Sequence, residues 1–297
     1  GAVDISLLHQ IRGNAGPRSR PPIRRHGHFY GDLWQYLAEG IPEDTVRFGV
    51  DVKEIVDSAS QTPRLEIAGE ERGFDLVVGA DGGKSTIRRY VTNAVPEYSG
   101  YNLWRGLVPG EGIPGPPSGA RTIDGVRYET LGFPFTNGYG IAMWNCGFYM
   151  MTPKSEVAAP ARNRQVTSSL TGTVPDWFIP VIRALFGVGN ATFWQACVAN
   201  GKVSGHPVWE FVADTVVNQR IMLLGDAAHM ASPRTGAGAH TAMVDAGTLG
   251  AALQRSSTLD EARLFYTDDT VERGRRLWKR SRQAAAYFAP ESSGLSH

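Results

Sequence analysis

The sequence has 297 residues, of which 42% are hydrophobic, and its formal net charge is +1. This composition predicts one large or two medium domains with a sizeable core, and the absence of a Lys/Arg-rich tract argues against a nucleic-acid partner. No apolar run reaches the ~20 residues that a membrane span needs, and no signal peptide is visible. Cys146 and Cys197 are expected to be buried free thiols in a cytoplasmic protein.

The first block of the chain, to about residue 98, is predicted to combine a helix with short strands. The helix lies in "GDLWQYLAEG", with Gly40 as its stop, and strands are predicted in "TVRFGVDVKEIVDS" and "RLEIAG". The segment "FDLVVGADGGKSTIRR" follows. It is predicted as an apolar strand that ends at Asp81, a turn with Ser85, and a helix that carries Arg88.

The middle block, about 99–206, is richer in aromatic residues. The segments "YNLWRGLV", "VRYETLGFPF", "GIAMWNCGFYMM" and "TFWQACVANGKV" are predicted as strands between Gly, Pro and Asn turns, with a helical interruption at about 158–186. The aromatic side chains Phe135, Trp144 and Trp194 are candidates to line a pocket for a planar substrate. For each of them alone, an ordinary core position is favoured.

The third block returns to a strand, a loop and helices. The stretch "RIMLLGDAAHMASPRTGAGAHTAMVDAGTLGAAL" begins as an apolar run typical of a buried strand and reaches Asp226 at its end. Pro233, Gly236 and Gly238 then precede an Ala-rich helix, and two helices are predicted over 241–289. Glycines at this place let a flat ligand approach the backbone, and the helix start offers free N–H groups and partial positive charge.

Asp81 and Asp226 each follow an apolar strand, where α/β sheets bind their ligands. A carboxylate at such a place can accept hydrogen bonds from ribose or ribityl hydroxyls. The alternative for both acids is structural, with Asp and Ser side chains that cap turns and helix starts. Two such acids in one chain favour one cofactor held between two strand ends. We therefore expect both acids on the same side of one sheet.

These two segments resemble paired motifs of a known enzyme family. "GADGGKSTIRR" resembles the DG motif of class A flavoprotein monooxygenases, and the longer stretch from "LLGDAAH" to "LGAAL" resembles their GD motif. "YNLWRGLV" and "GIAMWNCGFYMM" are similar to the dihydroxypyridine hydroxylase branch. The resemblance implies an α/β fold with an α+β insert: a Rossmann-like FAD-binding domain, incomplete at its N-terminus, and an inserted β-sheet substrate domain. Because both acid-ended strands flank the aromatic block, the expected boundaries are 1–98 with 207–297, and 99–206.

The resemblance also implies FAD as the cofactor and NAD(P)H as the co-substrate. In the GD motif, the ribityl and isoalloxazine parts of FAD would be bound by Asp226, Gly225, Pro233, Gly236, Gly238 and Ala239. In the DG motif, Asp81 and Gly82 would border the pyrophosphate and the NAD(P)H approach, with Arg88 supporting that turn. A surface position on a helix is the alternative for Arg88. No metal site is predicted.

The chain departs from the family pattern at three places. His240 stands where family members usually have Asn, and Tyr30 where they often have Arg. The unit of a strand, a Gly-x-Gly-x-x-Gly turn and a helix, with which the family begins and which cradles the ADP half of FAD, is not found here. We expect that unit to have been removed, to lie on another chain, or to have been lost. Its absence predicts weak FAD binding by this chain alone and exposed apolar surface.

The chemistry implied by the resemblance belongs mostly to the cofactor. NAD(P)H reduces the flavin, and a C4a-hydroperoxide transfers one oxygen atom to an electron-rich carbon. His206, His229 and Tyr128 are candidates to move protons, with a structural polar role as the favoured alternative for each.

The sequence thus predicts an FAD-dependent monooxygenase acting on an aromatic, N-heteroaromatic or enolic small molecule. The alternative is a shortened, non-catalytic relative that has lost tight FAD binding and serves as a small-molecule binder or interaction module. A homodimer or the missing N-terminal segment is the expected macromolecular partner.

Overall fold

The computed structural model describes residues 30–42, 45–50, 52–67, 69–109, 119–137, 139–152, 168–170 and 174–288. The helices are α1 Tyr30–Ala38, α2 Phe178–Ala199, α3 Gly238–Arg255 and α4 Leu259–Phe288. The strands are β1 Val52–Val56, β2 Arg64–Ile67, β3 Glu70–Gly73, β4 Val77–Gly79, β5 Glu97–Pro109, β6 Gly119–Ile123, β7 Val126–Thr136, β8 Ala142–Met151, β9 Ser168–Leu170, β10 Val203–Val212, β11 Val217–Asn218, β12 Ile221–Leu223 and β13 His229–Met230.

The largest sheet is antiparallel and has the strand order β13-β10-β5-β8-β7-β6, with β9 also paired to β10. Alternate residues of a strand point to opposite faces of its sheet. One face carries Trp104, Cys146 and Phe148 and packs against α2 in an aromatic core; we call it the α2 face. The other face carries Tyr101, Leu103 and Tyr149 in a smaller cluster with Ala285 of α4; we call it the loop face.

A smaller sheet has the order β11-β12-β4, and its β4–β12 pair is parallel. The register joins Val77 to Ile221 and Gly79 to Leu223. Both strands therefore end together, and the segments with Asp81 and Asp226 leave the sheet at the same edge. This confirms the prediction that the two acids lie on one side of one sheet. A core of buried residues, including Ile221, packs around this sheet.

The predicted strand "TFWQACVAN" is wrong, because this segment is the second half of α2. Trp194 and Cys197 are both fully buried, and their spacing of three residues places them on one face of a helix. An apolar segment of this length fits either structure by periodicity alone. The predicted interruption at 158–186 lies partly outside the described residues, and within them the helix starts at Phe178.

Two predictions in the first block also need correction. The strand expected from Thr45 begins only at Val52. The helix expected to carry Arg88 is a three-residue 3-10 turn, Arg88–Tyr90. Side chains of Asp81 and Ser85 accept the backbone N–H groups at the start of this turn, so a short turn satisfies them. The α1 helix and the two C-terminal helices are confirmed.

Both cysteines are free and buried, as predicted. Burial raises the pKa of the Cys146 thiol to about 11 and that of Cys197 to about 12. Among the described helices, none is both long and apolar enough to cross a membrane.

Candidate functional site

Arg88 joins the two motif segments that leave the small sheet. Its Nε donates to the backbone oxygen of Ala227 at 2.9 Å, and its Nη2 donates to that of Asp226 at 2.9 Å. Its Nη1 donates to the oxygen of Gly83 at 3.0 Å. One guanidinium group therefore holds the backbone of both motifs in a fixed relative position.

The environment of Arg88 is buried rather than exposed. Only 6% of the residue is accessible to solvent, and its guanidinium carbon lies 4.1 Å from the centre of the Phe211 ring. Burial lowers the pKa of Arg88, while the charges of Asp81 and Asp226 raise it. The alternative of a surface arginine is wrong, because the side chain is buried and donates its hydrogen bonds to backbone oxygens inside the protein.

Asp226 lies in the 3-10 turn Gly225–Ala227, directly after β12. The residue as a whole is exposed to solvent. Partial burial of its carboxyl group nevertheless raises the pKa of that group, while the charges of His229 and Arg88 lower it. Within the described part of the chain, no donor reaches this carboxylate at hydrogen-bonding distance. A helix-capping aspartate would have its acceptor oxygens occupied. No described residue uses the acceptor oxygens of Asp226 in this way.

The start of α3 lies beside Asp226, and we call the space between Asp226, Gly236 and the start of α3 the recess. Its N-cap residue, Ala237, provides no side-chain cap, and the first turn has no acidic residue. A Cβ atom added to Gly238 would lie 3.8 Å from Oδ1 of Asp226, so the carboxylate and the helix start are neighbours. Gly236 has a φ of +60°, a conformation that glycine adopts without strain. The recess thus combines a free carboxylate with uncapped N–H groups.

Asp81 is used differently from Asp226. Its Oδ2 accepts the backbone N–H of Thr86 at 2.7 Å, the Thr86 hydroxyl at 3.1 Å and the N–H of Ile87 at 3.2 Å. This pattern is that of a capping side chain. Gly82 follows with a φ of +78° and open space around the position of a Cβ. The geometry gives Asp81 a structural role, and its contact with a cofactor remains a proposal.

Ser232 anchors the loop with Pro233, and the sequence analysis missed it. Its side chain is fully buried, its Oγ lies 2.5 Å from the hydroxyl of Tyr101 on the loop face, and its N–H donates to Oγ of Ser281 in α4 at 2.6 Å. The loop is held against the sheet a second time by an ion pair between Arg234 and Glu129. A serine directly before Pro233 was the available signal, since Ser commonly caps such turns.

Asp245 of α3, which binds the turn that contains Gly225 and Asp226, was also missed. It is fully buried, and its Oδ2 accepts the N–H of Gly225 at 3.1 Å and lies 2.6 Å from Nε2 of His229. Its Oδ1 accepts Nε of Arg273 at 2.8 Å. His229 is 2% exposed, so this candidate proton-handling residue sits in a buried ion network rather than in the open recess.

The structure separates the remaining candidates by sheet face. The strand register pairs His206 with Leu103 and Phe135 with Met143, which places both candidates on the loop face. The other three, Tyr128, Trp144 and Trp194, belong to the aromatic core at α2.

The two faces therefore give these candidates different environments. Trp194 is fully buried beneath the sheet, the ordinary core position that the sequence favours for each aromatic. His206 is half-buried, and burial, Arg105 and Lys84 lower its pKa. Over the part of the chain that the structure describes, no group of His, Cys, Asp or Glu is arranged to hold a metal ion.

The residues present fit one part of a flavin dinucleotide. The carboxylate of Asp226 suits ribityl hydroxyls as hydrogen-bond donors, and the uncapped start of α3 suits a ring edge that carries negative charge. The glycines at this place leave the backbone open to a flat ring. The fit therefore covers the ribityl and isoalloxazine parts of FAD.

The chain is similar to known FAD-dependent proteins. Residues 194–279 match a family model described as an FAD binding domain. The FAD-dependent urate hydroxylase of Klebsiella pneumoniae is 26% identical over 269 residues, which cover 89% of this chain and 64% of that protein. The 2-heptyl-3-hydroxy-4(1H)-quinolone synthase of Pseudomonas aeruginosa is 27% identical over 248 residues, which cover 82% of this chain and 59% of that protein.

A solved structure shows the same fold. The 2,6-dihydroxypyridine-3-hydroxylase from Arthrobacter nicotinovorans matches with a TM-score of 0.70 at 20% identity, over 90% of this chain and 70% of that chain. These comparisons confirm the resemblance to class A FAD-dependent monooxygenases of the aromatic-hydroxylase type, the α/β fold, and FAD as the cofactor of the class. The chain spans 59–64% of the length of these curated relatives.

Proposed function

We propose that this chain forms the ribityl, isoalloxazine and substrate part of an FAD-dependent monooxygenase. Its substrate would be an aromatic, N-heteroaromatic or enolic small molecule, with NAD(P)H and O2 as co-substrates. The observation that carries the proposal is the accessible Asp226 carboxylate, which receives no hydrogen bond from described residues and lies beside the uncapped start of α3. Its turn is held by Arg88 and Asp245 from two sides.

FAD bound in this recess would be reduced by NAD(P)H and would activate O2, so that one oxygen atom is transferred to the substrate. The protein's own residues would bind and orient. Asp226 accepts the ribityl hydroxyls, Gly236 and Gly238 leave room for the ring, and the start of α3 stabilises negative charge on its edge. The loop face of the large sheet holds the substrate, and Phe135 lies on that face. Trp144 and Trp194 instead lie in the aromatic core between the sheet and α2.

His206 is the candidate that the geometry favours for moving a proton at the substrate. It is half-buried on the loop face, and its lowered pKa keeps it neutral near pH 7, the state that a general base needs. His229 and Tyr128 are 2% and 4% exposed. We assign these two residues to the ion network of α3 and to the aromatic core.

We also propose that a further αβ unit, or a second copy of this chain, covers the apolar groove between α3 and α4. This groove of about 540 Å³ is lined by Met243, Gly247, Ala251 and Phe265, and Phe265 is 65% exposed. Among the described residues, β4 is an edge strand of the small sheet, and a free edge can pair with a further strand. Size measurement over a concentration series tests the second copy.

The proposed function is tested by adding FAD and each co-substrate to the purified chain. Flavin-band perturbation on titration, followed by NAD(P)H oxidation that depends on an aromatic substrate, supports it. Flavin binding without oxidation of NADH or NADPH would favour the non-catalytic relative. No flavin binding at all would contradict the site.

A further inference from the structure

Residues 232–236, which we call the Pro233 loop, contact the large sheet on either side of the proline. Before the proline, Oγ of Ser232 lies 2.5 Å from the hydroxyl of Tyr101 on β5. Both residues are fully buried, and burial raises the pKa of Tyr101, so two neutral hydroxyl groups form this contact. The same Oγ accepts the backbone N–H of Arg234 at 3.1 Å. Ser232 therefore fixes the start of the loop to the sheet.

The second contact lies directly after the proline. Arg234 forms an ion pair with Glu129 on β7, and its guanidinium carbon lies 5.2 Å from the centre of the Tyr149 ring on β8. Glu129 and Tyr149 are cross-strand partners. The side chains of Arg234 and Glu129 are only 11% and 26% exposed, so solvent screens this pair less than it screens a surface ion pair. The pair therefore fixes the chain after the proline to the sheet.

The two contacts form one connected part of the loop face. The rings of Tyr101 and Tyr149 lie 5.6 Å apart and meet edge to face, so the residues that hold each side of the proline also pack against each other. Pro233 itself is exposed. Its backbone oxygen accepts the N–H of Gly236 at 3.0 Å, and Gly236 borders the recess. The position of the recess at Gly236 thus depends on the large sheet.

Helix α4 supports the loop from a different direction. The N–H of Ser232 donates to Oγ of Ser281 at 2.6 Å, and the Ser281 hydroxyl donates to the fully buried carboxylate of Glu210. Arg282 donates to the same carboxylate at 3.3 Å. These bonds remain when one contact with the sheet is removed. A substitution on the sheet should therefore shift the loop without unfolding it.

We propose that Tyr101 and Glu129 are positioning residues for the flavin ring. The recess is formed by other residues, and each of these two side chains acts on it through the Pro233 loop. This inference rests on the proposed function, because that function places the ring beside Gly236. It goes further in making flavin binding depend on the sheet that is proposed to hold the substrate. The two sites then form one unit, with a fixed distance between the ring and the substrate.

The test uses lumiflavin, which has the ring without the ribityl chain, and riboflavin, which has both. Their affinities for the full chain are measured by fluorescence titration for the wild type, Tyr101→Phe and Glu129→Gln, which we call the sheet variants. Each substitution keeps the shape of the side chain and removes one hydroxyl group or one charge. Because the loop is then less well placed for the ring, both probes should bind about threefold to tenfold more weakly. Asp226→Ala should weaken riboflavin alone, since its proposed partners are the ribityl hydroxyls.

Two matched controls separate positioning from general stability. Tyr98→Phe removes a buried hydroxyl group from the same strand as Tyr101, where it donates to Asn102. Glu70→Gln removes a charge that pairs with Arg72 on β3, in a different sheet. Thermal melts of all variants measure stability. Both controls should keep the wild-type affinity for lumiflavin, including where Tyr98→Phe lowers the melting temperature as much as Tyr101→Phe does.

Amide hydrogen exchange without flavin reports on the loop itself. The N–H groups of Thr235 and Gly236 donate to oxygens within the loop at 3.0 Å. Exchange of such amides measures local opening. We expect both amides to exchange about threefold to tenfold faster in each sheet variant, and at the wild-type rate in each control.

The outcomes distinguish this proposal from the proposed function. Lumiflavin affinity that neither sheet variant weakens, or that the controls weaken equally, would overturn the positioning role alone. Weaker binding without faster amide exchange would also overturn it, because the effect would not pass through the loop. No binding of either flavin by the wild type would refute the proposed function, and the positioning role with it.

Discussion

Arg88 donates a hydrogen bond to the backbone oxygen of Asp226 at 2.9 Å, across 138 residues of sequence. The parallel pair of β4 and β12 is only three residues long, so the ladder alone does not fix the loops that follow it. The guanidinium extends the connection beyond the strands by also binding Gly83 and Ala227. The relative position of the two motifs therefore depends on one buried side chain.

Replacing Arg88 with Met should destabilise the protein by about 3–5 kcal/mol, because buried carbonyl groups of both motifs lose their charged donor. Urea unfolding measures this difference. Arg89→Met is the matched control: Arg89 is exposed and donates to the oxygen of Lys53, so its loss should cost about 1 kcal/mol or less. Equal costs for the two variants would show that Arg88 does not hold the motifs together.

Asp81→Ala should cost about 1 kcal/mol of folding free energy, the usual loss for a capping side chain. The carboxylate of Asp81 accepts N–H groups of Thr86 and Ile87, and alanine leaves them without this acceptor. Asp81→Asn retains an acceptor oxygen and should lose less. A negligible cost for alanine, measured by urea unfolding, would contradict the capping role.

The two cysteines should be unreactive in the folded protein. The thiolate is the nucleophilic form, and burial raises the pKa of Cys146 to about 11 and of Cys197 to about 12. At pH 8 both remain protonated thiols. Ellman's reagent should therefore label two thiols quickly in denaturant and very slowly in native buffer. Fast labelling of the native protein would show that the aromatic core at α2 opens readily.

Much of the site was predictable from the sequence, because the signals are local. An apolar strand, a strand-end acid and glycines before a helix identify the recess at Asp226. The parts that were missed depend on distant contacts. Ser232 meets Tyr101 and Ser281, and Asp245 meets His229 and Arg273.

Helix and strand were confused where an apolar segment satisfied both patterns. The end of α2 was predicted as a strand because "TFWQACVAN" is apolar and aromatic. Its packing against the sheet, with Trp194 and Cys197 fully buried, decided the outcome. Tertiary contacts of this kind override local preference. The domain boundaries at 98 and 207 stay a prediction. Both positions lie inside strands, β5 and β10, and these two strands pair with each other.

Riboflavin should bind this chain almost as well as FAD does, within about tenfold. The recess offers groups for the ribityl chain and the ring, whereas the strand–turn–helix unit that carries the pyrophosphate turn in the family was not found in the sequence. Fluorescence quenching on titration gives both dissociation constants. Tight, stoichiometric FAD with far weaker riboflavin would mean that this chain has a pyrophosphate site of its own.

The most direct test of the flavin site is an FAD titration of the wild type and Asp226→Ala, with melts of both proteins in the absence of FAD. Hydrogen bonds to a charged partner are worth about 1.5–3 kcal/mol, so affinity should fall roughly tenfold to a hundredfold. Stability without FAD should not fall, because no described donor uses this carboxylate and its surroundings disfavour the charged form. Unchanged FAD affinity with a large loss of stability would contradict the account and make Asp226 a structural residue.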